Sequence, residues 1–337
     1  MAKSKLTLRQ QKRIRDKQSR SSSTTKNDDL FDALLSSGQL GPEQNGTVVT
    51  RFSNQADVIS EHTPDSPLRR CYFRSHLESL VTGDQVIWRD GEPTGVICAV
   101  LPRKSQLERP DGRGKVRTVV ANIDCILIVV AAEPEPHDEL IDRYLVACEH
   151  HQISPVIIVN KADMNTEQVK QVSDLVAPYQ KIGYPVLAVS AKSGLGISDL
   201  AALLANRTSV FVGQSGVGKS SLINALHPSA AAKIGKLSTA RAKGRHTTTT
   251  ADLFLLPDGG SIIDSPGIRE FGLIHLDRQQ LAQGFIEFRP YMGRCRFRNC
   301  SHKDDPDCAL RDACEKGEIS AQRFSSYHRI SESLSNE

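Results

Sequence analysis

The chain has 337 residues, of which 39% are hydrophobic, enough for two or three domains with ordinary globular cores. It contains no apolar run long enough to span a bilayer, and its basic N-terminus lacks the apolar stretch of a signal peptide, so we expect a soluble, unexported, cytoplasmic protein. The net charge of +4 conceals an asymmetry: nine Lys or Arg precede residue 27 against one acid, Asp16, which leaves the remainder slightly acidic and points to nucleic acid or, more plainly, to a solvated tail.

Residues 1–39 are polar, basic and low in complexity; we expect a mobile arm with no core, able to become helical on a partner. Residues 40–110 carry short strand-like runs: TVVTRF from Thr47, ADVIS from Ala56, RCYFR from Arg70, QVIWR from Gln85 and GVICAVL from Gly95. With Gly83-Asp84 and Asp90-Gly91 as turns, they predict a small closed barrel of the oligonucleotide-binding (OB) kind. Arg51, Arg69, Arg70, Arg74, Arg89, Arg103, Lys104 and Arg109 accompany Phe52, Tyr72, Phe73 and Trp88. On one face these groups suit single-stranded RNA by stacking and phosphate contact; turned inward, the aromatics are core. The sequence leaves both open.

After the turn-rich RPDGRGK, residues 111–275 alternate strand and helix. CILIVVAA, PVIIVN, PVLAVSA, TSVFV, TADLFLLP and SIIDSP read as strands; DELIDRYLVACEHH, EQVKQVSDLVAPYQ, ISDLAALLA and SLINAL read as helices. Continuous apolar strands between amphipathic helices predict a mostly parallel α/β sheet covered on both faces.

The motifs sit at strand ends, where open α/β sheets bind ligands. The stretch Gly213-Gln214-Ser215-Gly216-Val217-Gly218-Lys219-Ser220-Ser221 matches the phosphate-binding loop Gly-x4-Gly-Lys-Ser. Its glycines let backbone N–H groups curl round phosphate oxygens at a helix N-terminus. Lys219 then reaches the β- and γ-phosphates and Ser220 ligates Mg²⁺. Asn160-Lys161-Ala162-Asp163 is the Asn-Lys-x-Asp tetrad of guanine-nucleotide-binding proteins. Guanine presents N1–H and the N2 amino group side by side, and one carboxylate, Asp163, accepts both; adenine would leave it unpaired. Ser190-Ala191-Lys192 resembles the Ser-Ala-Lys motif whose backbone contacts guanine O6. Asp264-Ser265-Pro266-Gly267 resembles Asp-x-x-Gly, in which Asp264 holds Mg²⁺ through water and the Gly267 N–H senses the γ-phosphate. GTP is the nucleotide these four motifs select together.

Their order is unusual. Small GTPases run phosphate loop, switch threonine, Asp-x-x-Gly, Asn-Lys-x-Asp, Ser-Ala-Lys; here the two guanine-reading motifs come first. Joining the old termini and opening the chain after Asp-x-x-Gly gives this order without changing the sheet, so a circularly permuted P-loop GTPase domain is expected. The switch after Asp264 then leads into a C-terminal domain, residues 276–337, which nucleotide state can move directly. Ile268 stands where many GTPases place the water-orienting glutamine, so intrinsic hydrolysis should be slow. His246 is the nearest substitute if the switch folds inward, and otherwise a solvated loop residue.

Cys295-x4-Cys300-x-His302-x5-Cys308 offers three thiolates and an imidazole, a full tetrahedral set for one structural Zn²⁺ in a mostly helical domain. Cys314 is a spare that could replace one ligand. Arg294, Arg296, Arg298, Lys303 and Arg311 surround the cluster.

Together the basic arm, the barrel, GQSGVGKSS, NKAD, SAK, DSPGIREFGL, RHTTT and the cysteine knuckle resemble the RsgA (YjeQ) family of GTPases, from about Leu40 to the C-terminus. The resemblance implies a bacterial factor acting late in small-ribosomal-subunit maturation. Its GTP hydrolysis would be stimulated by that subunit and accompany release, with barrel and knuckle on ribosomal RNA. Resemblance to related switch sequences selects Thr248 to close on Mg²⁺ and the γ-phosphate; the fourth threonine of HTTTT keeps Thr247 and Thr249 open. A monomer with no membrane partner is expected. Two other readings stand beside this one: an RNA-binding scaffold with a static nucleotide sensor, and a GTPase whose arm meets anionic lipid.

Overall fold

In the computed structural model, which describes residues 31–36, 38–60, 67–74, 77, 79–110, 115–164, 166–227, 251–264 and 276–334, residues 43–100 form five strands, with the clearest alternation of burial in the third and fourth of them. They are β1 (Glu43–Arg51), β2 (Gln55–Ile59), β3 (Arg69–Phe73), β4 (Gln85–Arg89) and β5 (Gly95–Val100). Each strand pairs with two neighbours in the order β1-β2-β3-β5-β4, and β4 pairs back onto β1 to close a barrel. Only β3 and β5 run parallel. Val48, Val58, Cys71, Phe73, Leu80, Val86, Trp88 and Ile97 fill it. Phe73 and Trp88 are therefore core, whereas Phe52 and Tyr72 stay half-exposed because Tyr72 points opposite to its neighbours Cys71 and Phe73.

The expected absence of a core before residue 40 is corrected: residues 31–36 are helical and Phe31 is 3% exposed, with the Arg74 guanidinium 4.9 Å from its ring centroid. The polarity around Phe31 hid one well-placed aromatic. This compact unit extends to Arg103, and a second begins at Lys104. There β6 (Gln106–Pro110) pairs with β7 (Val116–Ala121) in a separate two-stranded ribbon.

The second unit is built on β8 (Cys125–Val130), β9 (Ser154–Val159), β10 (Val186–Ala188), β11 (Thr208–Val212), β12 (Asp252–Leu255) and β13 (Ser261–Asp264). Their order is β10-β9-β8-β11-β13-β12, parallel throughout except for β12, which lies antiparallel to β13. Every residue of β8 is buried, as a strand covered on both faces must be. Cys125, Leu127 and Val129 enter a core with α3 (Ile197–Leu204) and α4 (Lys219–Leu226). Ile128 and Val130 face α1 (Asp138–His151) on the other side. α2 (Thr166–Ile182) buries Val172, Val176 and Tyr179. The chain leaves β8 towards β9 and β10, then returns past β8 to β11, so the strand order reverses beside β11. Such a reversal opens a crevice at the strand C-termini.

The C-terminal elements α5 (Arg278–Gly284), a 3₁₀ turn (Ile286–Tyr291), α6 (Ala309–Glu315) and α7 (Ala321–Leu334) belong to this unit. α5 starts with a reciprocal capping box between Asp277 and Gln280. Arg323 of α7 is fully buried, pairs with Asp142 of α1, and forks onto Glu287 at 2.7 and 3.0 Å. Burial lifts the Asp142 carboxyl above its ordinary range, and the guanidinium works against that. Arg329 meets Asp138 at 3.0 Å nearer the surface. No helix of the described residues is long and apolar enough to cross a membrane.

Removing one partner of a buried ion pair strands the other, whereas an exposed pair contributes little. Arg323→Met should lower the urea-unfolding free energy of this unit by about 3–5 kcal/mol, and Arg329→Gln by about 0–1 kcal/mol. Equal losses would refute the central role of Arg323.

Candidate functional site

After β11 the chain turns at Gly213, φ +132°, where a Cβ would stand 2.3 Å from Val129 O of β8. Gly218, φ +95°, precedes α4, and a Cβ there would stand 2.3 Å from Asn160 Nδ2. Both positions require glycine: one for a turn against the sheet, the other for close approach of the base-side loop. Between them Val217 plugs into the core while Ser215 and Gly216 are exposed. Lys219, 8% exposed, donates to Gly213 O at 2.7 Å and to Gln214 O at 2.5 Å, so the loop closes on its ammonium group. Ser220 and Ser221 follow in the first turn of α4.

Asn160, at the end of β9, is 3% exposed. Its Nδ2 donates to Val217 O at 2.8 Å and its Oδ1 accepts from Ala191 N at 3.4 Å, which ties the phosphate loop to both guanine-type loops. Ala162 N donates to Val189 O at 3.0 Å, drawing the two base-side loops together. Ser190 is buried; its hydroxyl oxygen accepts from Lys192 N at 3.2 Å and Ser193 N at 3.1 Å. The same hydroxyl donates to Asp163, and that bond is the main cause holding the exposed Asp163 carboxyl below its ordinary range. Lys161 lies at φ +62° and its ammonium donates to Glu133 O at 2.5 Å; Gln168 Nε2 donates to Glu133 Oε1 at 2.8 Å. The turn so clamped brings Pro134 against Gly216.

Asn160, Lys161, Asp163, Ser190, Ala191 and Lys192 thus converge with Gly213–Ser221 on one end of the sheet. Asp264 ends β13, where the register sets Asp252 opposite it. His246, Thr247, Thr248, Thr249, Gly267 and Ile268 lie outside the described residues. Two contacts went unpredicted. Glu133 beside Lys161 is one; the other is Tyr144 of α1, buried and hydrogen-bonded to the Gly213 backbone. Neither belongs to a motif, and only the apolar period of α1 marked Tyr144 as inward.

Apart from this site, Cys295, Cys300, His302 and Cys308 bring their ligand atoms within 4.8 Å of one another. His302 Nδ1 is 3.5 Å from both Cys295 Sγ and Cys308 Sγ. Zn–S bonds of about 2.3 Å and Zn–N bonds of about 2.0 Å give tetrahedron edges close to these, so the donor set fits zinc. Cys314 is not among the four. Phe297 in the knuckle is 42% exposed, with the Arg296 guanidinium 5.6 Å from its ring centroid.

A family profile described as RsgA GTPase matches residues 100–274. A Chromohalobacter salexigens protein named small ribosomal subunit biogenesis GTPase RsgA is 53% identical over 305 residues, 90% of either chain. One of the same name from Azotobacter vinelandii is 50% identical over 341 residues, covering 99% of this chain and 98% of its own. The crystal structure of YjeQ from Thermotoga maritima superposes with a TM-score of 0.72 at 31% identity over 88% of this chain and all of the other. That of YloQ, a circularly permuted GTPase, gives 0.69 at 26% identity over 88% of this chain and 96% of its own. The permuted arrangement expected from motif order is therefore the fold of this chain.

If Asp163 accepts guanine N1–H and N2–H as a carboxylate, guanine affinity should fall as pH drops through its depressed pKa. Ser190→Ala removes the chief cause of that depression. The acid limb of GDP affinity, measured by titration calorimetry across pH, should move to higher pH; an unmoved limb would contradict the Ser190–Asp163 bond.

Proposed function

The chain belongs to the RsgA GTPase family and is a GTP-hydrolysing enzyme; from that premise we propose that it is a late maturation factor or checkpoint for the small ribosomal subunit, stimulated by that subunit and released on hydrolysis. The observation that carries the chemistry is the Asn160 amide joining a glycine-shaped phosphate loop to a loop whose Asp163 is kept ionised. Loop N–H groups of Gly213–Ser221 and the Lys219 ammonium bind the β- and γ-phosphates. Asp163 accepts guanine N1–H and N2–H, the Ala191 region meets O6, and Lys161 and Lys192 flank the base. Ser220, Thr248 and, through water, Asp264 would hold Mg²⁺, which would neutralise charge on the phosphate oxygens. Water attacks the γ-phosphorus in line, the bond to the bridging oxygen breaks, and GDP and phosphate leave. His246 orients that water when the partner folds the switch inward, in place of the glutamine that Ile268 replaces. The Gly267 N–H reports the γ-phosphate to the segment that follows.

RNA recognition is supported by two surfaces. The closed five-stranded barrel supports the OB reading, and it presents Arg70 4.2 Å from the ring centroid of half-exposed Phe52, beside Tyr72. The knuckle, whose Cys295, Cys300, His302 and Cys308 would hold Zn²⁺, presents Phe297 among Arg294, Arg296 and Arg298. We assign a basic arm to the residues before Phe31, the barrel domain to the residues up to Arg103, the GTPase to the residues from Lys104 to 275 and a mostly helical zinc domain to 276–337, in a monomeric cytoplasmic protein without a membrane partner.

Purified small subunits should raise GTP turnover well above the basal rate, and Lys219→Ala should lower the stimulated rate by about 10²–10³-fold. Turnover indifferent to subunits would leave only a nucleotide sensor. Cys300→Ser should release the bound zinc, read by metal analysis, and lower the melting temperature of the C-terminal region; unchanged melting after metal loss would remove the structural role.

A further inference from the structure

The loop that carries Asp163 starts at the end of β9 and runs into α2, whose first turn holds Gln168. Lys161 lies in it at φ +62°, a left-handed backbone that costs a non-glycine residue energy, so contacts must hold the loop in place. Two main-chain bonds do part of this: Ala162 N donates to Val189 O at 3.0 Å and Met164 N to Lys161 O at 3.1 Å. The turn after β8 does the rest. β8 and β9 are parallel neighbours with Val130 opposite Val159, so that turn and the Asp163 loop leave the sheet side by side.

Glu133, in the turn, reaches both ends of the loop. Its carbonyl oxygen accepts from the Lys161 ammonium at 2.5 Å, and its carboxylate Oε1 accepts from Gln168 Nε2 at 2.8 Å. A carboxylate only accepts, so the Gln168 amide must present its NH₂ here. One residue thus bridges positions 161 and 168, with Asp163 between them. The next residue, Pro134, seats the bridge on the phosphate loop: a Cβ at Gly216 would stand 3.5 Å from its ring Cδ.

We propose that Glu133 is a positioning residue for guanine recognition, an inference that rests on the assignment of Asp163 to the base. By stapling the loop at Lys161 and at Gln168, it fixes the Asp163 carboxylate where one group can accept N1–H and N2–H together. An exposed loop left free loses conformational entropy on binding, whereas a loop already held does not. Two-point recognition gains most, because both bonds require one orientation of the carboxylate.

The test measures GDP and inosine diphosphate, which lacks the N2 amino group, binding to the full-length protein by titration calorimetry, with melting temperature as the folding control. Glu133→Ala and Gln168→Ala should each weaken GDP by about 3–10-fold, the worth of one charge-assisted bond, and weaken inosine diphosphate less, so that the affinity ratio falls. The double variant should be no weaker than either single one, because both remove the same bond. Glu133→Gln, whose amide oxygen still accepts from Gln168, should stay within about twofold of wild type. Unchanged GDP affinity in Glu133→Ala would overturn the proposal. So would equal losses for the two nucleotides, additive losses in the double variant, or a Glu133→Gln variant as weak as Glu133→Ala, which would indicate charge and not the staple. Wild-type protein that binds both nucleotides alike would sink the Asp163 assignment itself; a wild type that prefers GDP, beside indifferent variants, would sink the staple alone.

Discussion

Asn160 carries one side-chain amide and uses both ends of it on other loops, the NH₂ on Val217 O and the oxygen on Ala191 N. Buried as it is, the amide could not be left half-satisfied without a desolvation cost. The approach is also tight enough to forbid a side chain at Gly218. The phosphate loop and the base-side loops therefore share one hinge point: a shift of one is a shift of the other. The Ser190 hydroxyl extends the same arrangement outward by ordering the Lys192 and Ser193 backbone while holding the Asp163 charge.

Helix α1 adds a second tie behind the site. Tyr144 reaches the Gly213 backbone, and Asp142, two residues earlier and so on a different side of the helix, receives Arg323 of α7. One rigid element is thus gripped by the phosphate loop and by the C-terminal helices. The guanidinium is further enclosed by the Phe285 and Tyr179 rings, 4.4 and 5.2 Å away, so its position has little freedom. A load on the C-terminal helices has a short mechanical route to the nucleotide.

Much of this was legible in the residues because the chemistry is local. Glycines at Gly213 and Gly218, the tetrad ending at Asp163 and the cysteine spacing all announce themselves within a few positions, and apolar runs such as CILIVV announce a doubly covered strand. What stayed hidden depends on distant partners. Nothing near Arg323 marks it as the centre of a core, because its acids lie on α1 and the 3₁₀ turn. The barrel aromatics needed strand phase to be sorted: Trp88 and Phe73 inward, Phe52 and Tyr72 outward. Lys104 to Pro110 looked like the tail of the barrel, yet β6 hydrogen-bonds to β7 and falls in the second unit, since pairing and not composition decides membership.

The bond from Asn160 to Val217 spans 57 residues in the permuted order. During synthesis β8, β9 and β10, with the whole base-reading half, leave the ribosome before any part of the phosphate loop exists. At about 5–20 residues per second the amide waits several seconds for its partner carbonyl. A nascent chain in that interval has no place to hold a nucleotide, so GTP cannot guide the first half of the sheet to its structure. The apolar faces of β8 and β9 must be covered by α1, α2 and α3 until β11 arrives, and the consecutive burial along those strands is suited to that order of events.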